Sequence, residues 1–342
     1  MRNEKKIRKL AQRFSALDLL MLSLVAKWFL ESGDKAPQSN PELERHIRHE
    51  IDEIYTHSAR EADKLVREAY ANEYKKEMNK DKAFWALLSG AALAGRGGNR
   101  FNQMGAAAIQ NTQKVISAAV NAIPFRFQRA QTEAVNRVVA LYSQGGMTWL
   151  QAKQKVLNEL ADQGMIHFID QANRHWDMDA YVEMGVRTGI ANASRAGFIQ
   201  AMGDQGHDLV FPSAHPGACP KCALWEGVVL SISGDNPDHP SLQDAIDSGL
   251  FHPNCKHRLL KYIEGFSELI SYAGPENEQL YKDTQRQRQM ERTLRQWKRR
   301  EVAAIYPGEK TRAKSYARKW SKELDRFTKE KGLARKRYRE VV

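Results

Sequence analysis

Apolar residues recur at helical spacing over most of the chain. The run "LDLLMLSLVAKWFL" is apolar with Asp18 and Lys27 set into it. Ser15, with Asp18 three residues later, reads as a helix start and Gly33 as its stop, which predicts an amphipathic helix over 16–31. Residues 41–82 are polar but periodic, with Leu43, Ile47, Ile51 and Ile54 along one face. "GAALAGRGGNRFNQMGAAA" at 90–108 interrupts that pattern and reads as a glycine-rich linker; it holds no GxxxxGK[ST] to cradle phosphate. Helical period resumes over 109–143 and stops at Gly145-Gly146. Thr148 with Gln151 forms a capping box for the next helix, whose face is Leu150, Val156, Leu157 and Leu160 and whose end is Gly164. A longer helix over 177–203 carries Gly185, Gly189, Ala193 and Gly197 at four-residue spacing, a small-residue stripe that suits close packing.

The texture then changes. "DLVFPS" (208–213) and "GVVLSIS" (227–233) are short β-type runs bounded by Pro and Gly. Ser241 caps a short helix closed by Gly249. Beyond residue 277 the chain is helical again. Met290, Leu294 and Trp297 form one narrow apolar stripe, Tyr316, Trp320, Leu324 and Phe327 another, and Pro307-Gly308 separates them. This is a helical hairpin with one thin seam. The fold class is therefore mainly α with a small α+β Cys/His module. The segments are an elongated helical N-terminal half (1–90), the Gly/Ala-rich linker 91–108, a helical region 109–203, the β-containing module 204–266 and the helical tail 277–342.

Charge sharpens the last segment. The chain has 342 residues and a net charge of +12, yet residues 281–342 hold 21 Lys+Arg against 8 Asp+Glu, so the excess belongs to the tail. Such asymmetry points to an acidic partner, nucleic acid first. The candidate contacts are Arg286, Arg288, Arg292, Arg295, Lys298, Arg299, Arg300, Arg312, Lys314, Arg318, Lys319, Arg335, Lys336 and Arg337. Trp297 and Trp320 are assigned to seam packing rather than to bases. The opening "MRNEKKIRKL" imitates the basic flank of a targeting signal. The apolar run behind it is shorter than the roughly 20 residues of a span, and no small-residue cleavage site follows, so no membrane span is expected.

With 42% hydrophobic and 27% charged residues, the composition excludes a disordered chain, and three cysteines exclude a secreted disulfide scaffold. All three cysteines gather with histidines within 39 residues: Cys219-x-x-Cys222, then 29 intervening residues, then His252-x-x-Cys255-x-His257, with His215 four residues ahead of Cys219. Zinc prefers four thiolate or imidazole ligands in a tetrahedron, and Cys-x-x-Cys supplies two at the right bite. The expected ligands are Cys219, Cys222, Cys255 and His257, with His215 and His252 as alternates. A thioredoxin-like redox pair would need a βαβ setting. A zinc deaminase would need His-x-Glu, which is absent, as is His-Glu-x-x-His. A Cys–His protease dyad would leave Cys-x-x-Cys unexplained. A closed Cys₃His site stabilises a fold and leaves no open position for hydrolysis.

The stretches "DLVFPSAHPGACPKCALWEGVVLSISGD" and "HPSLQDAIDSGLFHPNCKHRLLKYIEGF" resemble the tailed-phage minor capsid protein 2 family and the related Mu F-like head morphogenesis proteins. The upstream "YVEMGVRTGIANASRAGF", with its Arg187-Thr188 pair, and the downstream "LYKDTQRQRQMERTLRQWKRR" are similar to the family's flanking helices. The resemblance implies a virion component present in few copies inside the head, reached from the host cytoplasm during assembly. Its implied partners are the portal protein, other head proteins and double-stranded phage DNA, and it carries no established catalysis. It also implies that Cys219, Cys222 and Cys255 match metal-type cysteines, with His257 where relatives often place a last cysteine. Two departures stand out. Minor capsid 2 members usually have arginine at the position of Cys219, where His215 could complete the site. Glu226 replaces a common glutamine, read as a minor surface change.

The competing class is a zinc-dependent nuclease or hydrolase. It would need an open metal position and a general base, for which Asp235, Asp238 and His239 in "SGDNPDHPS" are the candidates; the same stretch reads more simply as a polar turn. A host DNA-binding protein would need a sequence-reading element such as a helix-turn-helix, and none is evident.

Overall fold

The structure is a computed structural model, and it describes residues 2–37, 40–88, 99–165, 167–169 and 175–342. In chain order the helices are α1 (Arg2–Glu31), α2 (Pro41–Leu88), α3 (Asn99–Ser143), α4 (Trp149–Gln163), α5 (Met178–Asp204), α6 (Pro220–Ala223), α7 (Leu242–Asp247), α8 (Pro275–Val302) and α9 (Pro307–Glu330). The strands are β1 (His167–Ile169), β2 (His175–Asp177), β3 (Leu209–Pro212), β4 (Leu230–Ser231) and β5 (Leu259–Lys261). Helices dominate, and the sheets are small: a two-stranded antiparallel pair of β1 and β2 and a three-stranded antiparallel sheet in the order β4-β3-β5. No described helix is long and apolar enough to cross a membrane.

The chain divides into two compact units. One comprises residues 1–58, 116–183 and 284–342; the other comprises 59–115 and 184–283. Each draws on distant stretches because the division falls inside α2, α3, α5 and α8.

In the first unit, α1 buries Ile7, Leu10, Ala11, Phe14, Leu17, Met21, Leu22 and Val25. The helix thus begins at Arg2 rather than at Ser15: the apolar period starts at Ile7, inside the basic stretch that imitates a targeting flank. Gly33 ends it in the left-handed region (φ 54°). The α4 start follows its local chemistry. Thr148 Oγ1 accepts from Gln151 N, and the Gln151 side chain accepts from Thr148 N. Lys153 of α4 is 1% exposed, and its Nζ donates to Ser32 Oγ and Gly33 O at 2.6 Å each, capping the end of α1. The hairpin seam is present as expected: Met290, Leu294, Ala317 and Leu324 are buried with Trp297, Trp320 and Phe327 against them, and Trp297 stacks on Tyr316 at 4.3 Å.

In the second unit the small-residue stripe of α5 lies under close neighbours. A Cβ on Gly189 would stand 1.8 Å from Thr112 Oγ1, one on Gly185 2.3 Å from Val115 Cγ1, and one on Gly197 2.4 Å from the Tyr70 carbonyl oxygen. Residues 91–98 of the expected linker lie outside the described residues. Its remainder, from Asn99, is already α3. Ala106, Ala107 and Ala108 favour helix enough to carry Gly105, whose cost is about 1 kcal/mol, and Ala108 packs with Val66, Ala69 and Ala193. The core beside the three-stranded sheet joins Phe198, Ile199 and Met202 of α5 to Val210, Cys222, Leu230, Leu242, Leu250 and Leu259. Strands β1, β2 and β5 have no counterpart in the sequence reading. Each is three residues long and is formed by pairing, β1 with β2 and β5 with the distant β3, rather than by its own pattern.

Candidate metal centre

The β3–β5 ladder builds the site. Val210 pairs with Lys261, Phe211 with Leu260 and Pro212 with Leu259, and Ser213 N donates to Arg258 O at 2.8 Å. Continuing that register brings the stretch after Ser213 alongside His257. Cys219 is the N-cap of the single turn α6, with Pro220 at its first position. Cys222 N and Ala223 N both donate to Cys219 O, so Cys219 and Cys222 face one space. Asn277 fixes the approach: its Oδ1 accepts from Gly217 N (2.7 Å) and Ala218 N (3.2 Å), and its Nδ2 donates to Ala218 O (3.0 Å). The second knuckle turns through two left-handed residues, Phe251 (φ 61°) and Asn254 (φ 65°), and closes with Cys255 N donating to His252 O. Thr188, from the α5 Arg-Thr pair, accepts from Asn254 N at 3.4 Å.

Two groups of metal-type donors result, and they share Cys222. One is Cys219, Cys222 and His252; the other is Cys222, Cys255 and His257; within each group the ligand atoms lie within 4.8 Å of one another. Cys222 Sγ is 3.6 Å from Cys255 Sγ, Cys255 Sγ is 3.3 Å from His257 Nδ1, and Cys219 Sγ is 2.9 Å from His252 Nε2. Both histidines have the outer ring nitrogen occupied: His252 Nδ1 donates to Pro253 O (2.8 Å) and His257 Nε2 donates to Glu226 Oε1 (2.9 Å). His215 belongs to neither group. Its ring lies 4.4 Å from that of His257, and its Nδ1 is 3.2 Å from Pro216 O.

Glu226 is the residue that sequence reasoning misjudged. It is not at the surface: its side chain is 0% exposed and that of His257 2%. Oε1 accepts from His215 N (3.0 Å) as well as from His257, and Oε2 accepts from Tyr272 N (2.8 Å). No local pattern around "ALWEGVV" distinguishes it, because all three donors are remote in sequence.

The electrostatics follow from this packing. Cys255 is drawn down to about 4, chiefly by its hydrogen bond with Cys222 and further by His257, against the opposing effect of burial. Cys222 moves upward for the complementary reason, holding the proton beside the Cys255 thiolate, and burial adds to it. Burial opposes charge on His257, but hydrogen bonds to Cys255 and Glu226 outweigh it and raise its pKa. Arg195 of α5 lies over the Phe251 ring at 4.0 Å. Burial lowers its guanidinium to about 10, while the charges of Cys255 and Cys222 work in the other direction. Three thiols and two oriented imidazoles form a donor set suited to zinc, and the buried cation beside them suits thiolates. Asp235, Asp238 and His239 join neither group. Asp235 N donates to Ser233 Oγ and Asp238 N to Asn236 Oδ1, as a turn does.

The candidate DNA contacts separate into two kinds. Arg299 is 7% exposed and donates to Ala161 O (2.7 Å) and Asp162 O. Arg300 pairs through two nitrogens with Asp162 and lies over Trp297. Arg295 reaches Asp177 and Arg339 O, Lys298 donates to Glu340 O, and Arg335 binds Glu340, Asp325 and Ser321. These cations hold the first unit together. Arg288 and Lys336 are half-buried and have partners within the chain. Arg286, Arg292, Arg312, Lys314, Arg318, Lys319 and Arg337 are exposed. Of these, Arg286 contacts Gln289 and Arg312 contacts Glu309.

A mainly helical chain with a compact Cys/His knuckle on a three-stranded sheet defines the class. The family of phage minor capsid protein 2 matches residues 38–329, and the chain belongs to that family, one of structural capsid proteins. It is also similar to a protein named "Structural protein" from Lactococcus phage LL-H, 29% identical over 146 residues, which are 40% of this chain and 39% of that protein. The chain thus spans well under half the length of that relative. No solved structure matches.

Proposed function

We propose that the protein is a head component of a tailed phage, placed near the portal inside the head, where it assists assembly and the packaging or delivery of DNA. Other head proteins are its protein partners, and the host cytoplasm is where it is assembled. Family membership and the name of the Lactococcus phage relative support the structural role. The Cys/His knuckle is proposed as a structural zinc site of Cys219, Cys222, Cys255 and His257, holding the module closed rather than carrying out a reaction.

The observation that carries the DNA-facing role is the exposed strip of α9. Lys310, Arg312, Lys314, Arg318, Lys319 and Lys322 are all exposed, and no acidic residue lies between Lys310 and Lys322. Lys310, Lys314, Arg318 and Lys322 follow at four-residue spacing, so like charges neighbour one another over about 18 Å of helix. Lys310, in the first turn of α9, also sits where the helix dipole disfavours a cation. A face built against its own electrostatics is stabilised by an external anion, and packaged DNA is the abundant one. Contacts of this kind are made to phosphate and are independent of sequence.

The test is DNA binding by the full chain with Lys310, Lys314, Arg318 and Lys322 all changed to Gln. Removal of residues 277–342 would instead take away Asn277, Arg299 and Arg300, which support both units. Weakened, less salt-sensitive binding in a folded variant supports the reading; unchanged binding rejects it.

A further inference from the structure

We propose that Glu226 is the positioning carboxylate of the metal centre: by holding the Nε2–H of His257, it turns the Nδ1 lone pair toward Cys222 and Cys255 and makes His257, not His252, the fourth ligand. The inference rests on the zinc reading above and deepens it. Three observations carry it, all within the second unit.

The first is the rigidity of the carboxylate. Glu226 is withdrawn from solvent and accepts from two backbone N–H groups, His215 N and Tyr272 N, before it meets His257. Its position is therefore set by the backbone, and it dictates the ring orientation of His257. Carboxylates of this kind fix the tautomer of a ligating imidazole and raise its basicity. The outer nitrogen of His252 meets the carbonyl of its neighbour Pro253 instead of a carboxylate.

The second is spacing. Two ligands on one tetrahedral zinc lie about 3.8 Å apart for sulfur–sulfur and about 3.6 Å for sulfur–nitrogen, from bond lengths near 2.3 and 2.05 Å. Cys222–Cys255 at 3.6 Å and Cys255–His257 at 3.3 Å approach these values. Cys219–His252 at 2.9 Å is a hydrogen-bond distance, in which Nε2 accepts from the thiol. Cys219 groups with Cys222 and His252 rather than with Cys255 and His257, so a cation held by all three sulfurs and His257 requires Cys219 to shift, and that shift takes the thiol from His252.

The third is the alternative use of the same atoms. Cys255, His257 and Glu226 lie in the order of a thiol–imidazole–carboxylate triad, but the enclosure of His257 and Glu226 leaves no approach for a substrate to the imidazole, and Cys222 stands against the thiol.

The experiment is cobalt(II) titration of the reduced full-length protein, with zinc competition, on wild type, Glu226→Gln, Glu226→Met, His257→Ala and His252→Ala. The visible bands of tetrahedral cobalt and the thiolate-to-metal charge transfer report geometry and sulfur count. The expected wild-type spectrum is that of three sulfurs and one nitrogen. His252→Ala should keep it. Glu226→Met should weaken binding 10- to 100-fold with a distorted band, as loss of such an outer partner does. Glu226→Gln should recover most of the affinity, because an amide oxygen at the Oε1 position still accepts from His257 and His215 while only the Tyr272 contact is lost.

If His252→Ala destroys the tetrahedral band and His257→Ala keeps it, the assignment is wrong. Equal affinity in wild type, Glu226→Met and Glu226→Gln removes the positioning role even where zinc binds. A wild type that takes up no cobalt overturns the metal reading itself, a distinct result. Should Glu226→Met not fold, the two histidine variants and Glu226→Gln decide the matter.

Discussion

His257 Nε2 and Glu226 Oε1 share a hydrogen bond of 2.9 Å between two side chains that have left the solvent. The bond ties the end of the second knuckle to the segment that follows the first, so the two halves of the Cys/His motif are joined by protein groups as well as by any shared ion.

Glu226→Ala should therefore destabilise the second unit even in excess chelator. Three donors, His215 N, Tyr272 N and the buried His257 Nε2, lose their acceptor. Orphaned groups cost about 1–3 kcal/mol each before relaxation, so a loss near 3 kcal/mol is expected. Urea unfolding of the metal-free proteins measures it, and a loss under 1 kcal/mol would show that these contacts contribute little.

Gly197→Ala should be strongly disruptive, because the new methyl would lie 2.4 Å from the Tyr70 carbonyl oxygen, a backbone atom that cannot swing aside. Overpacking of this kind costs about 1–3 kcal/mol or more. Gly308→Ala is the contrast. Its Cβ would meet nothing nearer than the Tyr306 ring at 3.7 Å, and alanine near the start of α9 favours helix by up to about 1 kcal/mol. Paired thermal melts check both signs.

Arg299→Met should lower stability without changing the salt slope of DNA binding, since Arg299 donates to Ala161 O and Asp162 O and faces Asp177. A loss of about 2–3 kcal/mol is expected for hydrogen bonds of a charged donor. Neutralising Lys310, Lys314, Arg318 and Lys322 should do the reverse, flattening the slope of log K against log salt by up to about 3–4. If Arg299→Met flattens the slope and the α9 variant does not, the division of the cations has been drawn the wrong way round.

Asp208 gives the second unit an acid-sensitive element. Ser231 Oγ and Ser233 N donate to its carboxylate at 2.6 and 2.7 Å. Burial opposes its charge, but these hydrogen bonds prevail and lower its pKa. A lowered folded value means stability that is present above the ordinary aspartate range, near 3.9, and lost as pH falls through the folded value. Asp208→Asn should cost about 1 kcal/mol at pH 7, with the gap closing below about pH 4. Urea midpoints at the two pH values check it; a gap that widens in acid has the wrong sign.

What could be read from the sequence was local. The Thr148–Gln151 box, the stops at Gly33 and Gly164 and the hairpin seam depend on residues within a few positions of one another, and each stands where expected. The glycine stripe was legible as close packing because only a missing side chain satisfies that geometry. The start of α1 was misread because lysines and arginines around Ile7 obscured the apolar period. Strand β5, the burial of Glu226 and the use of Arg295, Arg299 and Arg300 as internal ties all depend on partners far away in sequence. The Cys/His residues were legible as a group, but the contacts that distinguish His215, His252 and His257 depend on the β3–β5 register and on the carboxylate behind His257.

The most direct measurement of the central claim is the metal content per chain of the full-length protein, purified in reductant, compared with Cys222→Ser, the residue both donor groups share. The account predicts about one zinc per wild-type chain and almost none in the variant. A wild type that stays metal-free after exposure to zinc, or equal zinc in both proteins, would contradict it.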